Sequence, residues 1–128
     1  MIKNMENERA KDALKNVKAI LEKNEDKKQQ TVYKAHVKKL APMIQVNGLA
    51  QTMAFYLYKQ ETIYEQIRGW IMQQESEDFE EFKDKGKADF VQFIIEQESE
   101  EYRRLTMEVI AYVQWLARFA DGLIEKEV

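Results

Sequence analysis

Five lysines crowd a short stretch of the sequence: Lys27, Lys28, Lys34, Lys38 and Lys39. Cations spaced at one or two helical turns contact phosphates without selecting bases, in single strands or heteroduplexes. The same pattern also serves as a solvated helix face. Just downstream, Gln45, Asn47, Gly48 and Gln51 interrupt an apolar segment. They either line a nucleic-acid path or form a hydrogen-bonded patch in which glycine admits a close neighbour. Arg103, Arg104 and Arg118 lie near the end of the chain. Positions 104 and 118 are separated by nearly four helical turns and so project from one face. They extend a basic surface or pair with Glu100, Glu108 and Asp121, where exposed pairs contribute about 0–1 kcal/mol each. Tyr33, Trp70, Tyr112, Trp115 and the phenylalanines have faces for bases, yet most fall at core spacing.

Catalytic chemistry is short of parts. One histidine (His36), two serines (Ser76 and Ser99) and no cysteine are present. No phosphate-cradling glycine loop, zinc-protease motif or nucleophile elbow occurs. Tyr33, three residues before His36, is not the glutamate that a helical di-iron site needs. We therefore expect no enzyme, no cofactor and no metal. The 23 acidic residues keep a metal-dependent hydrolase open as a remote reading. Absence of cysteine excludes thiol chemistry and disulfides and fits a cytoplasmic protein.

Helices must position these groups. With one proline and four glycines in 128 residues, the composition favours helix, and no stretch alternates like a strand. The reading is all-α: a compact bundle of about five to six helices with a long C-terminal helix, forming one domain over 1–128. The first helix spans about 4–24, where Leu14, Val17 and Leu21, with Ala10, Ala13 and Ile20 beside them, repeat at three- and four-residue spacing. A second runs about 27–40 and must end or kink near Ala41, because Pro42 disfavours helical geometry in the preceding residue. Pro42 then opens a third helix over 42–60, the most apolar segment, placed centrally and continuing through Asn47-Gly48. A fourth (61–74) buries Ile63, Tyr64, Ile67, Trp70 and Ile71. Residues 73–87 read as loop with one helical turn, anchored by Phe79 and Phe82. A fifth helix spans 87–97. Ser99 then caps the last helix (100–126), whose two apolar stripes start at Tyr102 and Thr106.

Charge is unevenly divided. Residues 1–41 carry 11 Lys/Arg against 6 Asp/Glu, whereas eleven carboxylates and three lysines fall between Glu75 and Glu101. Net charge is −3, which argues against strong independent nucleic-acid binding but permits one basic face inside a larger complex. A two-poled body can also stack head to tail. The longest apolar run, Met53 to Tyr58, is six residues, far below the roughly twenty that span a bilayer. The first residues lack a signal-peptide pattern, so a cytoplasmic protein without membrane contact is expected.

Three segments resemble one family: Tyr33 to Phe55, with its Asn47-Gly48-Leu49-Ala50-Gln51 core; Tyr102-Arg103-Arg104-Leu105-Thr106-Met107-Glu108; and Ala111-Tyr112-Val113-Gln114-Trp115-Leu116-Ala117-Arg118-Phe119-Ala120. In order and spacing they are similar to the small subunit of the type III-B (RAMP module, Cmr) CRISPR effector complex. His36 and Ala41 depart from that family's pattern. The resemblance implies a non-catalytic helical subunit whose copies stack along the crRNA-bearing backbone and help hold target RNA. Cleavage and cyclic-oligonucleotide synthesis would belong to other subunits. It tips Lys34, Lys38 and Lys39 towards RNA contact, and Gln45, Asn47, Gln51, Arg104 and Arg118 join them as candidate RNA-binding residues. Partners would be the other subunits, further copies of the chain and target RNA in the assembled complex. The competing reading is a helical protein–protein adaptor that binds through its acidic segment without nucleic acid.

Overall fold

The computed structural model describes residues 4–23, 26–83 and 85–125, and every regular element among them is a helix. These are α1 (Met5–Lys23), α2 (Lys27–Asn47), α3 (Leu49–Lys59), α4 (Glu61–Gln74), the single turn α5 (Ser76–Phe79), α6 (Asp89–Ile95) and α7 (Ser99–Leu123). The all-α bundle and the long C-terminal helix agree with the sequence reading.

The hub is α7, not the apolar third segment. Leu105, Val109, Tyr112, Val113, Leu116 and Ala120 are all buried, merging the two predicted stripes because α7 is covered on two sides. Along one flank α1 runs in the same direction, tied by Arg9 to Glu108 and by Asp12 to Tyr112. Along the other, α2 runs in the opposite direction, with Lys34 near Ile124 and Gly48 near Tyr102. Within the expected apolar set of α1, Ala13, Val17 and Ile20 lie deepest and Leu14 and Leu21 are partly buried, since α4 and α7 share that face. Helix α4 has the expected bounds, and its five predicted core residues are buried. Trp70 stacks on Tyr112 at 5.3 Å between centroids with planes 3° apart, worth about 0.5–1.5 kcal/mol beyond area burial.

The α2–α3 boundary falls at Gly48, not Pro42. The buried stripe Tyr33, Val37, Leu40 and Ile44 continues past the exposed Pro42, so core burial on both sides outweighs one lost backbone hydrogen bond. Gly48 has φ +87° and ψ 159°, a conformation essentially restricted to glycine. Its N–H closes α2 on the Ile44 carbonyl, while its own carbonyl accepts from the Thr52 N–H and hydroxyl. The Tyr102 hydroxyl accepts from the Ala50 N–H at 3.0 Å and caps α3 from outside. Ser99 is likewise not the cap of α7: Glu98 holds that position in extended geometry, and Ser99 starts the helix.

Polar groups in the interior are paired: among the described residues, no buried side-chain nitrogen or oxygen lacks a partner. Glu108 accepts from Arg9 at 2.6 and 2.8 Å and from Trp70 Nε1 at 3.0 Å. Burial alone would raise its pKa, but these donors outweigh it and hold the carboxyl below its ordinary value.

Candidate nucleic-acid interface

The lysine cluster of α2 divides between two faces. Lys34 is only 7% exposed; its ammonium donates to the Ile124 carbonyl at 3.0 Å and lies 3.7 Å from Asp121. There it holds the end of α7 instead of facing solvent. Lys38 is half exposed and pairs with the same carboxylate at 3.1 Å. Lys39, a further 100° around the helix, is exposed and makes no ion pair among the described residues.

Lys38 and Arg118 share an open groove of about 770 Å³ along α7, lined also by Glu6, Gln114, Trp115 and Asp121. Gln45 is exposed two turns beyond Lys38, and Asn47 and Gln51 are exposed on either side of the Gly48 break. Arg104 is not in the groove. It pairs with Glu75, and with Glu101 at 2.9 Å, carboxylates other than those named from spacing. That placement brings Lys38 and Arg118 together, sets Lys39 on a separate face, and commits Lys34 and Arg104 to contacts inside the chain.

A second signal lies in what is missing. From Lys27 to Gln60 the chain has six lysines and no carboxylate. Asp121 and Glu125, both beyond this span, neutralise Lys34, Lys38 and Lys27. Lys28, Lys39 and Lys59 stay exposed and without ion pairs among the described residues. Reading the lysines by proximity alone passes over Lys28 as a lead and Lys59 altogether; the long carboxylate-free run is the feature that finds them. His36 sits near Lys39 and Lys59, half-buried, with Nδ1 3.0 Å from the Tyr56 hydroxyl. Burial first, then repulsion from Lys39 and Lys59, lowers its pKa, so the ring adds no charge near neutrality.

The acidic segment is pinned to the core, not loose. Asp89 is buried and accepts from Arg68 at 2.9 and 2.7 Å, and the Arg68 guanidinium lies over Phe79 at 5.4 Å. Phe79, buried, and Phe82, partly buried, anchor the single turn α5 and the turns after it, as expected. Among the described residues, no three His, Asp or Glu side chains converge to hold a metal ion. No described helix is long and apolar enough to cross a membrane.

The family model for CRISPR-associated protein (Cas_Cmr5) matches residues 5–123, nearly the whole chain. That span covers all seven helices, including the Gly48 junction and the full length of α7. The chain belongs to this family, the Cas_Cmr5 subunits of the type III-B Cmr CRISPR complex, and so associates with the other subunits of that complex.

Proposed function

We propose that the chain is a non-catalytic brick of the type III-B effector that stacks with copies of itself and holds target RNA against a basic flank. The observation that carries this reading is the carboxylate-free span of α2 and α3, which contrasts along the chain with the acidic segment from Glu75 to Glu101. Phosphate contact falls to Lys38, Lys39 and Arg118, with Gln45, Asn47 and Gln51 exposed nearby as neutral hydrogen-bonding groups. Lys34 holds the end of α7 beside that surface, and Arg104 is taken up by Glu75 and Glu101 away from it. The contribution is positional: cations beside the strand lower the cost of holding a polyanion, and no bond is made or broken.

The test is capture of target RNA by effector complex assembled with the Lys39→Glu/Arg118→Glu double variant. Neither side chain has an ion-pair partner among the described residues, so the fold is expected to persist, as circular dichroism would verify. Affinity should fall, and the salt dependence of log K should flatten by about 1.4 for two lost contacts to a single strand. Unchanged capture at both low and high salt would remove RNA contact and return the chain to the adaptor reading.

A further inference from the structure

The α2–α3 face turned away from the groove carries a ladder of rings that ends in solvent. Buried Tyr56 meets His36 edge-to-face at 5.5 Å and Phe55 at 5.1 Å. Phe55, partly buried, meets Tyr58 at 5.9 Å with planes 67° apart. Tyr58 itself is 76% exposed, although it closes a helix whose other large rings are packed. An isolated exposed tyrosine is ordinary. This one is propped from behind by Phe55 and flanked in sequence by Lys59. Lys39 lies one turn along α2 from His36, and both lysines disfavour a proton on that ring. Neither has an ion pair among the described residues, and no carboxylate occurs anywhere in α2 or α3.

We infer that Phe55 and Tyr58, between Lys39 and Lys59, form a stacking platform for an unpaired base of single-stranded RNA. The inference rests on the RNA-holding reading above and adds a second kind of contact to it, made to a base face instead of a phosphate. A ring with one open face accepts any base, and flanking cations meet the phosphates on either side. An acidic, aromatic-poor protein partner would satisfy the lysines but would leave the ring face unused.

The experiment titrates the full chain, at low salt, with a labelled uridine oligonucleotide and with an abasic strand of equal length and charge. The base-bearing strand should bind about tenfold more tightly, the size expected for one stacked base. Tyr58→Leu should abolish that preference while keeping affinity for the abasic strand, and Tyr58→Trp should retain it. Equal affinity for the two strands, or a preference that survives in Tyr58→Leu, overturns the platform. If Lys39→Glu/Arg118→Glu still weakens both strands in that case, phosphate holding stands without stacking. No binding of either strand, by the full chain or by effector complex assembled with it, overturns both. Equal affinity combined with protection of Tyr58 from hydroxyl-radical oxidation in RNA-free effector complex reassigns the ledge to a protein neighbour.

Discussion

Lys34 and Lys39 are alike in sequence and opposite in environment. Lys34 has lost most of its water and is compensated by one carbonyl and one carboxylate. Truncating it removes the donor and strands the end of α7, so Lys34→Ala should cost about 1–3 kcal/mol in chemical denaturation. Lys39→Ala should change stability by less than about 0.5 kcal/mol, as expected for an unpaired surface residue. Equal effects of the two would contradict the burial difference. His36 sets a pH dependence. Its pKa is lower folded than unfolded, so the unfolded chain binds more protons in the window below the ordinary value of 6.5. Stability should therefore decline as pH falls through and below that value, and His36→Gln should flatten the slope. Glu108, held below its ordinary 4.5, adds a separate loss as pH drops further towards its folded pKa. Legibility at this scale was partial. Residue type and spacing identified α2 as the basic helix, but which lysine would be swallowed depended on Asp121 and Ile124, some ninety residues away. Tyr58 was hidden for the converse reason: its neighbours Phe55 and Tyr56 have the same character and pack, and one-dimensional periodicity does not tell the exposed ring from the buried ones.

Periodicity named the helices well where one face was buried, as in α4, and poorly where two backbone-special residues competed for one boundary. Pro42 has the stronger local preference and Gly48 the weaker, yet the continuous stripe from Tyr33 to Ile44 makes the proline tolerable and leaves the glycine to bend the chain. Two stability changes of opposite sign follow. Pro42→Ala restores a donor to the Lys38 carbonyl at an exposed site and should raise stability by about 1–3 kcal/mol. Gly48→Ala should lower it by about 1–3 kcal/mol through backbone strain, because a methyl there would meet the Tyr102 hydroxyl only at an ordinary 3.5 Å. Thermal melts of both variants check this, and stabilisation by Gly48→Ala would refute the boundary. The same two residues explain why the apolar third segment looked central: joined across Gly48, its stripe belongs partly to α2, while α3 alone exposes Ala54 and Tyr58.

Over the whole molecule, charge separates along the chain more cleanly than the net −3 suggests. Residues 27–60 hold six lysines and no acid, whereas 61–101 hold thirteen carboxylates and four cations. Attraction between such poles on successive copies predicts association at low ionic strength that is suppressed by salt, since surface charges are screened beyond about 10 Å at 0.1 M. Sedimentation velocity of the isolated chain across a salt series measures it, and a mass independent of salt and concentration would count against electrostatic stacking. All-helical architecture was readable from composition because little in the chain breaks a helix. The identity of the hub was not, because α7 earns that place only by contacts to α1 and α2 that close over long stretches of sequence. One of those contacts has a reach beyond its size. Where α2 gives way to α3, the bend is secured by the single phenolic oxygen of Tyr102 on the Ala50 amide. That oxygen works as a hinge pin, fixing the bearing of the aromatic arm against the lysine rail, so loss of one atom would misalign the two while leaving every charge in place.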